Sequence, residues 1–93
     1  MNKEYVLNDN KYVLERDDRD CFDIDSVKDM VTDYFNDYDY IFGDITYNKL
    51  RLKGFCDKNN KKCNNINDIS ILYSYIKDYC AYNCKWFLLK KIK

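Results

Sequence analysis

Lys49, Arg51 and Lys53 alternate with Leu50 and Leu52. An extended backbone has a side-chain period of two, so this spacing puts three cations on one face and two leucines on the other. Tyr47 and Phe55 bracket the cations at the same parity. Cations interleaved with flat rings suit an anionic partner, because the charges neutralise phosphates and each ring can stack a base for about 1–3 kcal/mol. Tyr47, Lys49, Arg51, Lys53 and Phe55 are therefore the candidate anion-binding site, with RNA or a ribonucleoprotein as the preferred partner. Lys58, Lys61 and Lys62 extend the track. The bland alternative is a solvated strand face. A different alternative is an adaptor that meets another protein through exposed tyrosines, Trp86 and an acidic helix face.

Two other groups could carry chemistry. Cys80 and Cys84 lie four apart at a predicted helix end, which places their β-carbons about 5–6 Å apart on one face. That suits a redox pair or half of a metal site, although zinc would need Cys56 and Cys63 at an untypical spacing, and core packing is the commoner fate of such thiols. Asp20, Asp39 and Asp44 form the second group, with Arg19. Asp44 can pair with Arg19 or Arg51 to hold two segments in register, or the carboxylates can gather round a divalent cation or act as acid and base.

Several classes of function are excluded or disfavoured. The 93 residues contain no histidine, which removes the base of a Ser or Cys triad and the commonest metal ligand. Gly43 and Gly54 are the only glycines, so no glycine loop can cradle a phosphate. Neither a cofactor nor a resident metal is expected, and a small Asp- or Cys-based enzyme ranks third behind the two binding readings. The five cysteines are odd in number and no apolar leader precedes them, so reduced thiols and a cytosolic location are expected. No apolar run approaches the roughly 20 residues of a membrane span.

Net charge is zero, yet residues 1–46 carry 13 acidic and 5 basic side chains, whereas residues 47–93 carry 3 and 11. The halves are therefore about −8 and +8. Either they attract each other within the fold or the second half offers an anion-binding surface.

The elements that must position these residues follow from periodicity. Tyr-Val-Leu recurs at 5–7 and 12–14 around Asn8-Asp9-Asn10, a hairpin pattern with residues that tolerate left-handed turns. Ile24, Val27, Met30, Val31, Tyr34, Phe35 and Tyr38 recur at spacings of three and four, which predicts a helix of about five turns capped by Asp23 or Asp25. Tyr40 to Phe42 and Leu50 to Leu52 predict a strand pair joined by a link containing Gly43-Asp44. The polar run from Asp57 to Asn65 predicts a loop. Ile69, Leu72, Tyr73, Ile76, Tyr79 and Cys80 predict a second helix, capped by Asp68 or Ser70 and stopped near Asn83. Trp86 to Leu89 is apolar at both parities, which predicts a strand covered on both faces. The order β-β-α-β-β-α-β implies an α+β domain spanning 1–93, with a mainly antiparallel sheet of about five strands and two helices packed on one face.

Blocks spread over nearly the whole chain resemble the YutD-like family of small bacterial proteins. They are Arg19-Asp20-Cys21-Phe22-Asp23, Tyr38 to Asp44, Leu50 to Phe55, Ile69-Ser70 with Leu72, and Tyr79-Cys80 with Cys84 and Phe87. Arg19, Asp20, Asp39, Gly43, Asp44, Gly54, Cys80 and Cys84 are the motif positions, with no role attached to them. The resemblance implies a compact α+β domain in the cytosol and brings no activity with it.

Overall fold

The computed structural model describes residues 4–46, 48–57, 68–79 and 85–92. Strand β1 (Glu4–Leu7) turns at Asn8 and Asp9, whose φ angles of 50° and 66° are left-handed, into β2 (Asn10–Asp17). Two consecutive positive φ values match the right-handed twist of the flanking strands, and Asn and Asp accept them at little cost. After a short 3-10 turn at Asp18–Asp20 comes helix α1 (Ile24–Lys28), then a second 3-10 turn at Asp33–Asp37. Strands β3 (Tyr40–Thr46) and β4 (Lys49–Phe55) form the central hairpin. A 3-10 turn at Ile69–Ile71 leads into helix α2 (Leu72–Tyr79), and β5 (Lys85–Ile92) closes the fold.

The five strands pair antiparallel in the order β1-β2-β5-β3-β4. The last strand in sequence is thus the middle of the sheet, which is why its side chains are apolar at both parities. Phe87 and Leu89 enter a core on one face with Leu7, Tyr12, Val27, Val31, Phe35 and Ile41. Leu88 enters a second core on the opposite face with Phe42, Phe55 and Leu72, flanked by Trp86, Tyr75 and Ile76. The α1 segment covers the first face and α2 the second. The α+β class and the order of elements along the chain are as the sequence predicts, but the helices sit on opposite faces, not on one. Periodicity reports that a helix has an apolar side and is silent about which sheet face receives it.

The five-turn helix expected from Ile24 to Tyr38 is also corrected. Asp23 caps it, its carboxylate accepting from the Asp25 amide and the Ser26 hydroxyl at 3.1 Å each. The α-helix stops at Lys28, and Thr32 is extended before the next 3-10 turn. Residues 24–37 contain no Ala, Leu, Glu, Gln or Arg. Asp, Asn and the adjacent β-branched Val31 and Thr32 favour caps and extended backbone over a continuous helix. Val27, Val31 and Phe35 are nevertheless buried, whereas Tyr34 swings out to 65% exposure.

In the central hairpin, Gly43 and Asp44 belong to β3 and not to the link. Thr46 pairs with Lys49, so the connection is residues 47–48, with Asn48 left-handed at φ 63°. Gly43 is needed because the Phe87 ring of β5 lies where its Cβ would stand. At Gly54 the ring of Tyr38 occupies the same space.

Candidate functional site

The sheet brings the predicted cations together as their parity requires. Lys49, Arg51 and Lys53 share the β4 face that carries Phe55, while Leu50 and Leu52 pack against the opposite core. β4 is the final strand in the sheet order among the described residues, and a parallel bridge joins Cys56, just beyond it, to Asp68. Helix α2 covers one end of that face. The Lys53 ammonium lies 5.4 Å from the ring centroids of both Phe55 and Tyr75, a distance at which a cation is attracted by the ring quadrupole.

Asp44 lies directly across the β3–β4 ladder from Arg51. Its carboxylate is 2% exposed and accepts from Arg51 Nε at 3.0 Å and from Nη2 at 2.6 Å, a bidentate fork. The Arg51 side chain remains half exposed. The pair therefore fixes a guanidinium at the sheet edge, where a planar donor set is most directional. Here an acidic residue of the first half of the chain meets a basic residue of the second.

A groove of about 330 Å³ runs beside this pair. Tyr34 and Leu52 line it from the α1 face, and Lys53 and Tyr75 from the α2 face. The Tyr34 and Tyr38 hydroxyls are 3.3 Å apart and their rings 5.4 Å, so Tyr34 is propped upright beside the strand. Tyr75 packs edge-on against Phe42 and Phe55 at 5.6 Å. Neither tyrosine was readable as a site residue. Tyr34 falls on the apolar helical stripe and is exposed only because the helix breaks, while Tyr75, three residues after Leu72, is overshadowed in the pattern by Tyr73, which is 64% exposed.

Phe55 is fully buried, which corrects its assignment as a base-stacking surface. Burial follows from its parity: the face that carries the cations at its open end carries the α2 core at the other. Tyr47, Lys58, Lys61, Lys62, Cys63, Cys80, Cys84, Asn83 and most of the loop at 57–65 lie outside the described residues, as does the side chain of Arg19.

The carboxylates do not gather. Asp39 is 5% exposed and ties three strands: its amide donates to the Phe55 carbonyl, its carbonyl accepts from the Lys91 amide, and its carboxylate accepts from the Asp57 amide at 2.9 Å. Asp39 stands just before β3 and Asp44 within it, five residues on and roughly 16 Å away at the usual strand rise, and they line different hollows. Asp20 is exposed in its own left-handed turn at φ 53°. Among the described residues no three Cys, Asp or Glu side chains converge as a metal site would require.

Cys56, fully buried just beyond β4, is disulfide-bonded, whereas Cys21 is a free thiol. Reduced thiols were expected throughout. An odd count of cysteines excludes complete pairing but permits a single bond. Burial, and next the Asp17 carboxylate, pushes the Cys21 thiol up to about 11.

No helix among the described residues is long and apolar enough to cross a membrane. The profile of the family described as "Putative antitoxin YutD-like" matches residues 6–90. The chain is 39% identical over 88 residues to the protein named "Putative antitoxin YutD" of Bacillus subtilis strain 168, a match covering 95% of this chain and 97% of that one. The solution NMR structure of B. subtilis YutD matches with a TM-score of 0.80 at 37% identity, covering 98% of this chain and 83% of the other. With family profile, sequence and fold in agreement over nearly its full length, the chain belongs to the YutD-like family.

Proposed function

We propose that this protein is a non-enzymatic binding module of antitoxin type, which acts by occupying another protein through the basic edge of its sheet. The observation that carries the reading is the row Lys49, Arg51 and Lys53 on the terminal strand, with Arg51 held in place by the buried Asp44 carboxylate. A guanidinium fixed before binding loses little side-chain freedom when an acidic partner arrives. The name of the B. subtilis relative, "Putative antitoxin YutD", supports a protein as the thing bound.

RNA, the partner preferred from the spacing of cations and rings, keeps its three charges here but loses Phe55 as a stacking platform. Sequence-tolerant binding of single strands leans on exposed rings as much as on charge. The protein partner is therefore the better reading of the same face.

Tagged protein drawn from its own cell lysate, with and without nuclease, separates the two. A single protein retained after nuclease treatment, and released when Lys49→Glu and Lys53→Glu are combined, is the expected result. Growth arrest by that partner, relieved on co-expression, would establish the antitoxin role. Retention that disappears with nuclease would return the site to RNA. Arg51 is left intact in this test, since removing it takes the forked partner from the buried Asp44 carboxylate.

A further inference from the structure

We infer that the hollow between α1 and the tip of the β3–β4 hairpin receives a lysine side chain of the protein partner, its alkyl stem on the apolar floor and its ammonium beside Asp23. The inference rests on the protein-binding reading above and adds a second contact to it, on the other face of the same hairpin tip. The hollow measures about 270 Å³, enough for one long side chain and too small for a helix, which is about 10 Å across. Its floor is apolar: Val27 and Phe87 are fully buried, and Ile45 and Leu50 are half-buried beside them. Its rim carries Asp23, Ser26 and Asn48, a carboxylate, a hydroxyl and an amide, each with an oxygen that can accept. An apolar floor under a rim of acceptors suits a side chain that is aliphatic for most of its length and cationic at its tip.

Charge and geometry select lysine. Residues 17–25 hold five aspartates against one arginine, so the mouth of the hollow favours a cation. Lys28, the next cation along the chain, pairs with Asp25 at 3.4 Å and not with Asp23. The two Asp23 oxygens each accept one bond within the helix cap, from the Asp25 amide and the Ser26 hydroxyl. About two of a carboxylate's roughly four acceptor sites are thereby used, which suits the point charge of an ammonium better than the parallel fork of a guanidinium. A free alkylamine has too few atoms to be held firmly at an exposed carboxylate, whereas a lysine carried by a docked partner meets the hollow at an effective concentration of about millimolar. The hairpin tip supplies the continuity. Asn48 and Leu50 line the hollow, while Lys49 between them lies on the opposite face with Arg51 and Lys53. A partner that engages Lys49 therefore stands one residue from the hollow.

The test uses the whole chain, 15N-labelled, with acetyl-Gly-Lys-Gly-amide as probe and the same peptide carrying norleucine in place of lysine as its uncharged control. The expected result is amide shifts at Cys21, Ser26, Ile45 and Asn48, with affinity about fivefold or more weaker for the norleucine peptide. Asp23→Asn should remove that difference without undoing the helix, because Asn caps a helix as well as Asp does. Equal affinity for both peptides, shifts elsewhere, or a difference that survives Asp23→Asn would overturn the inference. So would an arginine peptide that binds more tightly, or butylammonium that outbinds the lysine peptide and so assigns the hollow to a free amine. In the lysate experiment Asp23→Asn, with Lys49 and Lys53 intact, should weaken retention of the partner by about fivefold. A partner released by the combined Lys49→Glu and Lys53→Glu but held undiminished by Asp23→Asn would sink the lysine pocket and leave the protein-binding reading standing. Lysine-specific shifts with no partner in the lysate would do the reverse.

Discussion

The Tyr12 hydroxyl is the one buried side-chain polar atom without a hydrogen-bond partner among the described residues. Its ring is fully buried beside Phe35 and Leu7, and burial pushes its pKa up. A hydroxyl stranded in an apolar core carries an uncompensated desolvation penalty, so Tyr12→Phe should raise stability by about 1 kcal/mol. For a domain of this size that is a rise of roughly 4–8 °C in Tm, readable by thermal melting. A melt unchanged or lowered would mean that the hydroxyl finds a partner in solution. Cys21 supplies a second test. A thiol raised from 9.0 to about 11 is almost wholly protonated at neutral pH, so its alkylation rate should climb with a midpoint near 11. Asp17→Asn should lower that midpoint, since the Asp17 carboxylate is the second cause of the shift. The linkage has a sign: because the folded value is the higher, the group's contribution to stability is complete below pH 9 and is lost as pH rises through 11. A midpoint left at 9 would show that Cys21 is not shielded.

Elements were legible where one local signal decides them. The Asn8-Asp9 turn, the Asp23 and Asp68 caps and the two-sided strand Lys85–Ile92 all follow from residue chemistry within a few positions. The length of the first helix was not, because the apolar spacing survives a break: Val27, Val31 and Phe35 reach the core through two short segments as well as through one long one. Nor could the sequence say why Gly43 stands inside a strand, since the reason is a ring on a strand far along the chain. Gly43→Ala forces its new methyl into Phe87, and overpacking of this kind typically costs about 1–3 kcal/mol. Phe87→Leu alone should also destabilise, by opening a cavity. In the double variant the penalties should sum to less than their total, because the shorter side chain makes room for the methyl. Strict additivity in a denaturant cycle would show that the two positions do not compete for space.

Across the whole molecule, the opposition of an acidic first half and a basic second half is consumed only in part inside the fold. Asp44 and Arg51 meet in the sheet, yet Lys49 and Lys53 stay with Arg51 on the terminal strand, away from the α1 segment and its aspartates. The sequence made the cationic row legible because parity alone defines it. It hid the groove, which needs Tyr34 from one face and Tyr75 from the other, and no spacing rule joins residues across a sheet edge. A molecule of zero net charge with one basic edge should be steered to an acidic partner by that edge and not by its overall charge. Steering acts on encounter, so the association rate with the retained partner should fall by about tenfold between low salt and roughly 0.5 M, where the screening length shrinks to a few ångströms, while dissociation changes far less. The combined Lys49→Glu and Lys53→Glu variant should associate slowly at every ionic strength, with a flattened or inverted salt slope. Surface-plasmon kinetics over a salt series decides this, and a variant that keeps the original slope would place the steering charges, and with them the docking face, somewhere other than β4.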